Sequence, residues 1–385
     1  MNLKATLSTD KDTFYRKATI RNYRFVSMYR LGGLAGSPEI EIFGGVGLGR
    51  YDHGAYKWAR IQSDCSVYTL RLRFWMERKS RTGKFHSTEE VVGAGDNPVF
   101  SVIVPHYHDL HGLDRCLTAL SQQTYPSERF EVIVADNDSP EGIDAVVNII
   151  AGRAQIVVVK ERGPGLARNG GVTKARGRYL AFTDSDCVPE PQWLAEGLTA
   201  LRKFDFVGGG VNVIVSDPKT MSPTEAFERI FAFPNETYVK RDGFSVTANL
   251  FCPRSLFDRV GGFKGLRIAE DSNWCFRARD AGFVIGYSPS AAVGHPARVD
   301  WNNLLKKWRL TNLNNFGLTK EKKWGRFRWA GRTLLLPISA LAHTPKVLLS
   351  NRIQGFNQRL MALRVLYILR LWRFFDAIRL LFAEA

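Results

Sequence analysis

An α/β fold, with a mostly parallel central sheet and helices on both faces, is predicted for the middle of this 385-residue chain by three observations. Short apolar runs alternate with helix-length segments from Pro98 onward, the spacing of parallel strands joined by right-handed crossovers. Several of these runs stop abruptly on polar or acidic residues, above all Tyr179-Leu-Ala-Phe-Thr-Asp-Ser-Asp-Cys-Val-Pro189. The charge is also divided: residues 97–299 carry 22 basic and 23 acidic side chains, residues 1–96 carry 16 and 10, and residues 300–385 carry 16 and 4. These divisions are read as a β-rich accessory segment (1–96), a central domain (97–299) and a helical, basic C-terminal segment (300–385). A near-neutral centre in a chain of net charge +17 argues against a nucleic-acid-binding core and for a tail that meets an anionic surface.

Residues 1–96 alternate most clearly in Ser66-Val-Tyr-Thr-Leu-Arg-Leu-Arg-Phe-Trp75, with Val67, Thr69, Arg71 and Arg73 on one face and Tyr68, Leu70, Leu72 and Phe74 on the other. That is a strand pattern. Gly32-Gly33 and the Gly44–Gly49 stretch read as breaks between short elements, and Arg78–Asn97 as a linker. Met1–Asp10 has no apolar run behind its charges and reads as no signal peptide.

In the central domain, Val99–Pro105 reads as a buried strand, Leu110–Gln122 as a helix, and Phe130–Ala135 as the next strand, ending at Asp136-Asn-Asp138. Gln155–Val159, a Gly-Pro-Gly turn, a helix around Leu166–Lys174 and the strand Tyr179–Phe182 repeat the unit. Ligands gather at the carboxyl ends of such strands. Pro105-His-Tyr107, Asp136 and Asp184-Ser-Asp186 all fall there.

Residues two apart on a strand share a face, so Asp184 and Asp186 could reach one hard cation while Ser185 turns away. A turn that merely ends a strand is the structural alternative. Gly163-Pro-Gly-Leu-Ala-Arg-Asn-Gly-Gly171 sits where a loop opens a helix, which offers amides and the Arg168 charge to an anion. Its glycines serve close helix packing equally well. The spacing fits neither a Walker sequence nor a dinucleotide fingerprint. Glu270 and Asp271 open a helix, and His295 ends the apolar Ser290–Pro296 stretch. The five cysteines are widely spaced without a Cys-x-x-Cys, which indicates neither a zinc site nor a disulfide framework and suits a reducing cytoplasm.

From about Ser101 to His295, roughly half the chain, these motifs in this order resemble the inverting glycosyltransferases of family 2, with the GT-A nucleotide-diphospho-sugar transferase fold, Rossmann-like and mostly parallel. The resemblance implies that Pro105 and Tyr107 border the nucleotide base and that Asp136 hydrogen-bonds its edge. It makes Gly165-Leu-Ala-Arg-Asn169 the phosphate-side helix start, with Arg168 as a phosphate contact. It places Asp184, Asp186 and His295 around Mg2+ or Mn2+, and Glu270-Asp271 as the acidic pair that contains the base. Two positions depart from the family's pattern: His108 stands where many relatives have Asn, and Asp138 where Gly is common.

The chemistry implied is transfer of a sugar from a nucleotide-diphospho-sugar, taken first as a UDP-sugar, to a hydroxyl of a lipid-linked glycan acceptor. A sugar-1-phosphate nucleotidyltransferase or a non-enzymatic basic membrane adaptor are the competing readings. The first wants a Gly-rich signature where this chain has Pro105-His-Tyr-His-Asp109, and the second does not explain acids at several strand ends.

Beyond residue 300, Trp301, Leu304, Leu305 and Trp308 share a helical face with Lys306, Lys307 and Arg309 elsewhere, an interfacial pattern. Thr333–Ala342 is apolar but short and is expected to break at Pro337. Leu360–Phe382 mixes large apolar residues with Arg364, Arg370, Arg373 and Arg379, suited to lying in a membrane surface rather than crossing it. A helical cap on the central domain would show the same periodicity. The expectation is a peripheral or monotopic protein at the cytoplasmic face of a bacterial inner membrane.

Overall fold

A computed structural model describes three strands within residues 13–47 and residues 98–383, apart from 266–268 and 321–322. The Ser66–Trp75 alternation and the Arg78–Asn97 linker lie outside the described residues. The chain divides into two units, Met1–Glu90 and Val91–Ala385.

In the first unit, β1 (Thr13–Ile20), β2 (Tyr23–Gly32) and β3 (Glu39–Gly47) form an antiparallel meander in that order. Gly44, Gly45 and Gly47 fall inside β3, paired with Ser27, Val26 and Arg24, so the expected break there is a strand. A short glycine run in an antiparallel strand keeps its ladder bonds, and sequence alone does not separate that from a turn.

The second unit opens with β4 (Phe100–His106), α1 (Leu110–Ser121), β5 (Phe130–Asp136), α2 (Ile143–Ile150), β6 (Gln155–Val158), α3 (Pro164–Lys174) and β7 (Tyr179–Thr183). It continues with β8 (Val188–Pro189), α4 (Trp193–Leu201), β9 (Phe206–Ile214), α5 (Pro223–Phe231), α6 (Asn235–Thr237), β10 (Asn249–Pro253), α7 (Arg254–Val260), α8 (Glu270–Asp280) and β11 (Ile285–Pro296). Eight strands make one sheet in the order β6-β5-β4-β7-β10-β9-β11-β8. The first four run parallel; β10 is antiparallel to both neighbours, and β8 is antiparallel to β11. The sheet is therefore mostly parallel, with a reversal after β7.

The strand period of two sorts the core. Val102, Val104, Val132, Val134 and Ala181 point to one face, with Leu113 and Leu117 of α1, Val146 of α2 and Trp193 of α4. Ile103, Ile133, Leu180 and Phe182 point to the other, with Val172 of α3, Phe257 of α7 and Trp274 of α8. A strand apolar on both faces is a buried strand covered by helices on each side, as its unbroken hydrophobic run requires.

The last three helices are α9 (Trp301–Lys320), α10 (Gly325–Leu348) and α11 (Gly355–Phe382). Leu304, Ala340, Val347, Leu366 and Leu369 form one core with Phe227 and Ile230 of α5. Beneath it the buried Glu228 pairs with Arg298 at 2.9 Å and Lys307 at 3.3 Å. This docking corrects one expectation: Leu304 is fully buried, with Trp301, Leu305 and Trp308 packed against the same cluster, so that stripe faces α5 and α11 rather than a membrane. Helical periodicity identifies an apolar face and is silent about what covers it.

Pro337 and Pro345 lie inside α10, which runs unbroken for 24 residues. Each removes one backbone bond, and packing of Ala340 and Val347 against α11 spans the gap. The uncovered apolar residues are others: Leu334, Leu335, Ile338 and Leu341 of α10, and Phe356, Leu371, Phe375 and Phe382 of α11, are each more than half exposed. No described helix is long and apolar enough to cross a membrane.

Candidate active site

The parallel strands β4, β5 and β7 deliver their carboxyl ends to one edge of the sheet. There, β7 stops at Thr183 and the chain turns, with the Cys187 amide donating to the Asp184 carbonyl at 3.0 Å. Asp184 and Asp186 thus converge through a turn, not through strand alternation. A carboxylate oxygen from each, one nitrogen of His295 and the Cys187 sulfur all lie within 4.8 Å of one another.

His295 comes to the group from β11, paired in register with Val213 of β9. Its Nδ1 lies 2.9 Å from the Pro296 carbonyl, which turns Nε2 toward Asp186 Oδ2 at 3.5 Å. Asp186 Oδ1 is buried without a hydrogen-bond partner. Burial pushes the Asp186 carboxyl above the usual range, His295 pulls it down, and Asp184 and Asp109 push it up. An unpartnered buried carboxylate oxygen is costly unless something binds it. Two carboxylates and an imidazole suit Mg2+ or Mn2+, with positions left for other oxygens. The Cys187 thiol, driven well above its ordinary pKa by burial, is no thiolate ligand.

Arg168 ties this group to a second acidic pair. It is 3% exposed on α3, and its guanidinium reaches Asp184 Oδ1 at 2.5 Å and Glu270 Oε1 at 3.3 Å. Glycine makes that reach possible. A Cβ on Gly165 would stand 3.0 Å from Phe263 and 3.1 Å from Glu270, and one on Gly171 would stand 2.7 Å from Ile103. The glycines of this helix are thus packing glycines, which seat α3 against β4 and the 263–270 segment. Asn169 fastens the same segment by a reciprocal pair, donating to the Phe263 carbonyl and accepting from the Phe263 amide, each at 2.8 Å.

Glu270 and Asp271 form the first turn of α8, whose Trp274, Cys275 and Ala278 are buried in the core. Leu266–Ile268, just before them, lie outside the described residues. Burial, and then the neighbouring Glu270 charge, push the Asp271 carboxyl up to about 6, against the pull of the Ser272 amide and Arg168.

The third strand end is built differently. Asp136 is 2% exposed and spends its oxygens on His106 Nδ1 at 2.8 Å, Ser139 Oγ at 2.6 Å and the Ser139 amide at 3.1 Å. The Asp109 amide donates to His106 Nε2 at 3.4 Å, which fixes the proton on Nδ1. Burial works to raise the Asp136 carboxyl, but the bonds from Ser139 and His106 outweigh it and hold it below the usual range. Tyr107 is half exposed beneath the Arg162 guanidinium at 4.7 Å, while Pro105 stays in the β4 ladder opposite Ala135. His108 and Asp138, the two departures from the family's pattern, both have left-handed backbones, with φ of 54° and 60°. Asn and Gly are at ease in that conformation, so the two departures fall where backbone shape, more than side-chain chemistry, sets the residue.

The structure therefore brings Asp184, Asp186, His295, Arg168 and Glu270 into one contiguous group with Asp271 beside it, and leaves Asp136 turned inward. Sequence reasoning did not single out Phe233, whose ring lies 4.2 Å from that of His295 and whose φ is 48°. It also gave no role to Asn169. A Phe-Pro pair was the only signal for the first, and an Asn in a quoted motif for the second.

A family model described as Glycosyl transferase family 2 matches residues 101–269. Glycosyltransferase AglE of Haloferax volcanii is 32% identical over 217 residues, 54% of this chain and 70% of that protein. Validoxylamine A glucosyltransferase of Streptomyces hygroscopicus subsp. jinggangensis is 33% identical over 156 residues, 38% of this chain and 36% of that protein. Among solved structures, mannosyltransferase PcManGT from Pyrobaculum calidifontis, in complex with GDP-Man and Mn2+, is similar with a TM-score of 0.48 and 17% identity, over 75% of this chain and 88% of that one.

Proposed function

The chain belongs to glycosyl transferase family 2, enzymes of the GT-A fold, and on that premise we propose that it moves a sugar, with inversion, from a nucleotide-diphospho-sugar to a hydroxyl of a lipid-linked glycan. Family membership sets aside the nucleotidyltransferase and adaptor readings. The observation that carries the proposal is the Asp184, Asp186 and His295 cluster with its unpartnered Asp186 oxygen, bridged through Arg168 to Glu270 beside an Asp271 of raised pKa.

In this reading Asp186, Asp184 and His295 hold Mg2+ or Mn2+, which supplies Lewis-acid neutralisation of the leaving diphosphate. Asp271 takes the proton of the acceptor hydroxyl as its oxygen attacks the anomeric carbon from the face opposite the diphosphate. The new C–O bond forms as the old one breaks, and its electron pair leaves with the nucleoside diphosphate. A carboxyl near 6 is ionised at neutral pH and still basic enough to accept the proton. Glu270 raises that basicity by its charge, and Arg168 keeps the two acidic groups in fixed relation. Tyr107 offers a stacking face to the nucleotide base, with Pro105 behind it. Asp136 serves the base by bracing His106 and Ser139.

The uncovered apolar face of α10 and α11, within a segment carrying 16 basic and 4 acidic residues, supports the reading that the enzyme works on an anionic membrane surface. The test is calorimetric binding of UDP with and without Mn2+, together with sedimentation on phosphatidylglycerol vesicles. Metal-independent or absent UDP binding counts against the site, and failure to sediment counts against the membrane.

A further inference from the structure

Phe233 stands against His295 of the metal cluster, and its backbone is held where an aromatic residue is seldom found, at a φ of 48°. Glycine, Asn and Asp take that conformation at little cost, yet the chain carries none of them here. Such a backbone persists only where the surroundings dictate it. They do so from both sides. The Ala232 amide closes α5 by donating to the Glu228 carbonyl at 2.8 Å, and the Asn235 amide donates to the Phe233 carbonyl at 2.7 Å. Asn235 is itself buried, with its side chain donating to the Gly209 carbonyl at 2.8 Å and to Ser245 Oγ at 2.9 Å, and accepting from the Val246 amide at 3.2 Å. Residues 232–234 are therefore a short turn fastened at each end, and the ring it carries is a fixed surface.

That surface meets the imidazole, with ring centroids 4.2 Å apart and planes 36° from parallel. The contact Nδ1 makes with the Pro296 carbonyl fixes one point of the His295 ring. One point leaves the ring free to swing, because the terminal torsion of histidine is a broad well; an aromatic face against it removes that freedom. Charge braces the pair from behind. Lys307 lies over the Phe233 ring at 4.9 Å and pairs with Glu228 at 3.3 Å. Glu228, on α5 ahead of the turn, also accepts from the Arg298 amide at 2.8 Å and from its guanidinium at 2.9 Å. Arg298 follows His295 by three residues. One buried carboxylate thus ties the helix that leads to Phe233 to the chain that leaves His295, and the two rings are held in register.

We propose that Phe233 is a positioning residue for the metal seat, its ring setting the plane of the His295 imidazole so that Nε2 stays turned toward Asp186. The inference rests on the reading of Asp184, Asp186 and His295 as metal ligands and adds how the imidazole is oriented among them. Removing an outer partner of a metal-bound imidazole costs about 10- to 100-fold in metal affinity. A residue that only fills space would change stability and leave that affinity as it was.

Titration of Mn2+ into the full chain in the presence of UDP, followed by the paramagnetic resonance signal of the free ion, tests it, with melting of the metal-free protein measured alongside. Phe233→Gly removes the ring and relaxes the backbone, so it should bind Mn2+ about tenfold more weakly without melting lower by more than the lost packing explains. Phe233→Tyr keeps the ring and should stay within about twofold of the wild type. In a His295→Ala background the Phe233→Gly change should cost less than about twofold, because its effect passes through the imidazole. Should Phe233→Gly fail to fold, Phe233→Leu keeps the apolar bulk, loses the flat face and should lose at least about threefold in its place. Wild-type Mn2+ affinity in the ring-less variant, or an undiminished loss in the His295→Ala background, would overturn the inference and leave the metal seat standing. A wild type that binds no Mn2+ would overturn the seat, and the inference with it.

Discussion

Asp136 and Asp186 are both acids at the carboxyl end of a parallel strand, and they are in opposite states. Asp136 is enclosed by His106 and Ser139, accepts three hydrogen bonds and is held below its usual pKa. Asp186 keeps one oxygen buried and unpartnered, faces Nε2 of His295 and is pushed above its usual pKa. The Asp271 carboxyl is likewise pushed above its usual pKa. On the proposed function, the first is an acid that stabilises its own fold and the second is one that takes a ligand. In Asp136 the cost of desolvation is already offset inside the protein. In Asp186 no hydrogen bond among the described residues offsets it at Oδ1.

The comparison breaks most visibly in turnover. Asp186→Ala should lower sugar transfer by a factor on the order of 10^3, the scale on which electrostatic stabilisation of a leaving group operates; a loss under tenfold would place Asp186 with Asp136 as a bracing residue. Asp271→Asn keeps shape and loses the base, so transfer should fall by about 10^2 to 10^4 while donor affinity stays within twofold. Steady-state kinetics with donor and acceptor varied separately would show it.

Asp136→Asn should instead cost stability, about 1–3 kcal/mol in urea unfolding, because a buried network loses its charged acceptor. If Asp136 contacted the base directly, as the family resemblance implies, donor affinity would fall tenfold or more with little change in stability. The pH profile sharpens the third member. Asp271 acts ionised and its carboxyl lies near 6, so transfer should rise with pH through about 6 and then level off. A flat profile from pH 5 to 8 would remove Asp271 as the base.

The smallest effect is on melting. A carboxyl whose pKa is raised by folding adds stability below its unfolded value of 3.8, and that stability is lost as pH rises through about 6. Asp271→Asn abolishes the loss, so the variant should melt about 2–4 °C above wild type at pH 8 and no higher at pH 4.

Much of this site was legible because strands announce themselves. An apolar run that stops at an acid identifies both the strand and its functional end, which is how Asp136, Asp184 and Asp186 were found. What the sequence could not supply was partnership. Nothing in Asp136-Asn-Asp138 says that His106 and Ser139 will close over the first acid, and nothing in the helix of Arg168 says that its guanidinium will bridge Asp184 to Glu270 across 102 residues. Such pairings are tertiary. So is the fate of an apolar stripe: Leu304 and Leu335 both sit in apolar stretches of helix, yet one is fully buried in the cluster with α5 and α11 and the other is 60% exposed. Phe233 was invisible for a third reason, since its left-handed backbone follows from the loop between α5 and α6 and not from any local preference of phenylalanine.

The central claim is that the unsatisfied acid is the metal seat and the satisfied one is not. Titration of Mn2+, in the presence of UDP, into the wild type, Asp186→Ala and Asp136→Asn compares them directly. The account predicts one site in the wild type, the same site at similar affinity in Asp136→Asn, and none in Asp186→Ala. Wild-type Mn2+ binding by Asp186→Ala would contradict it.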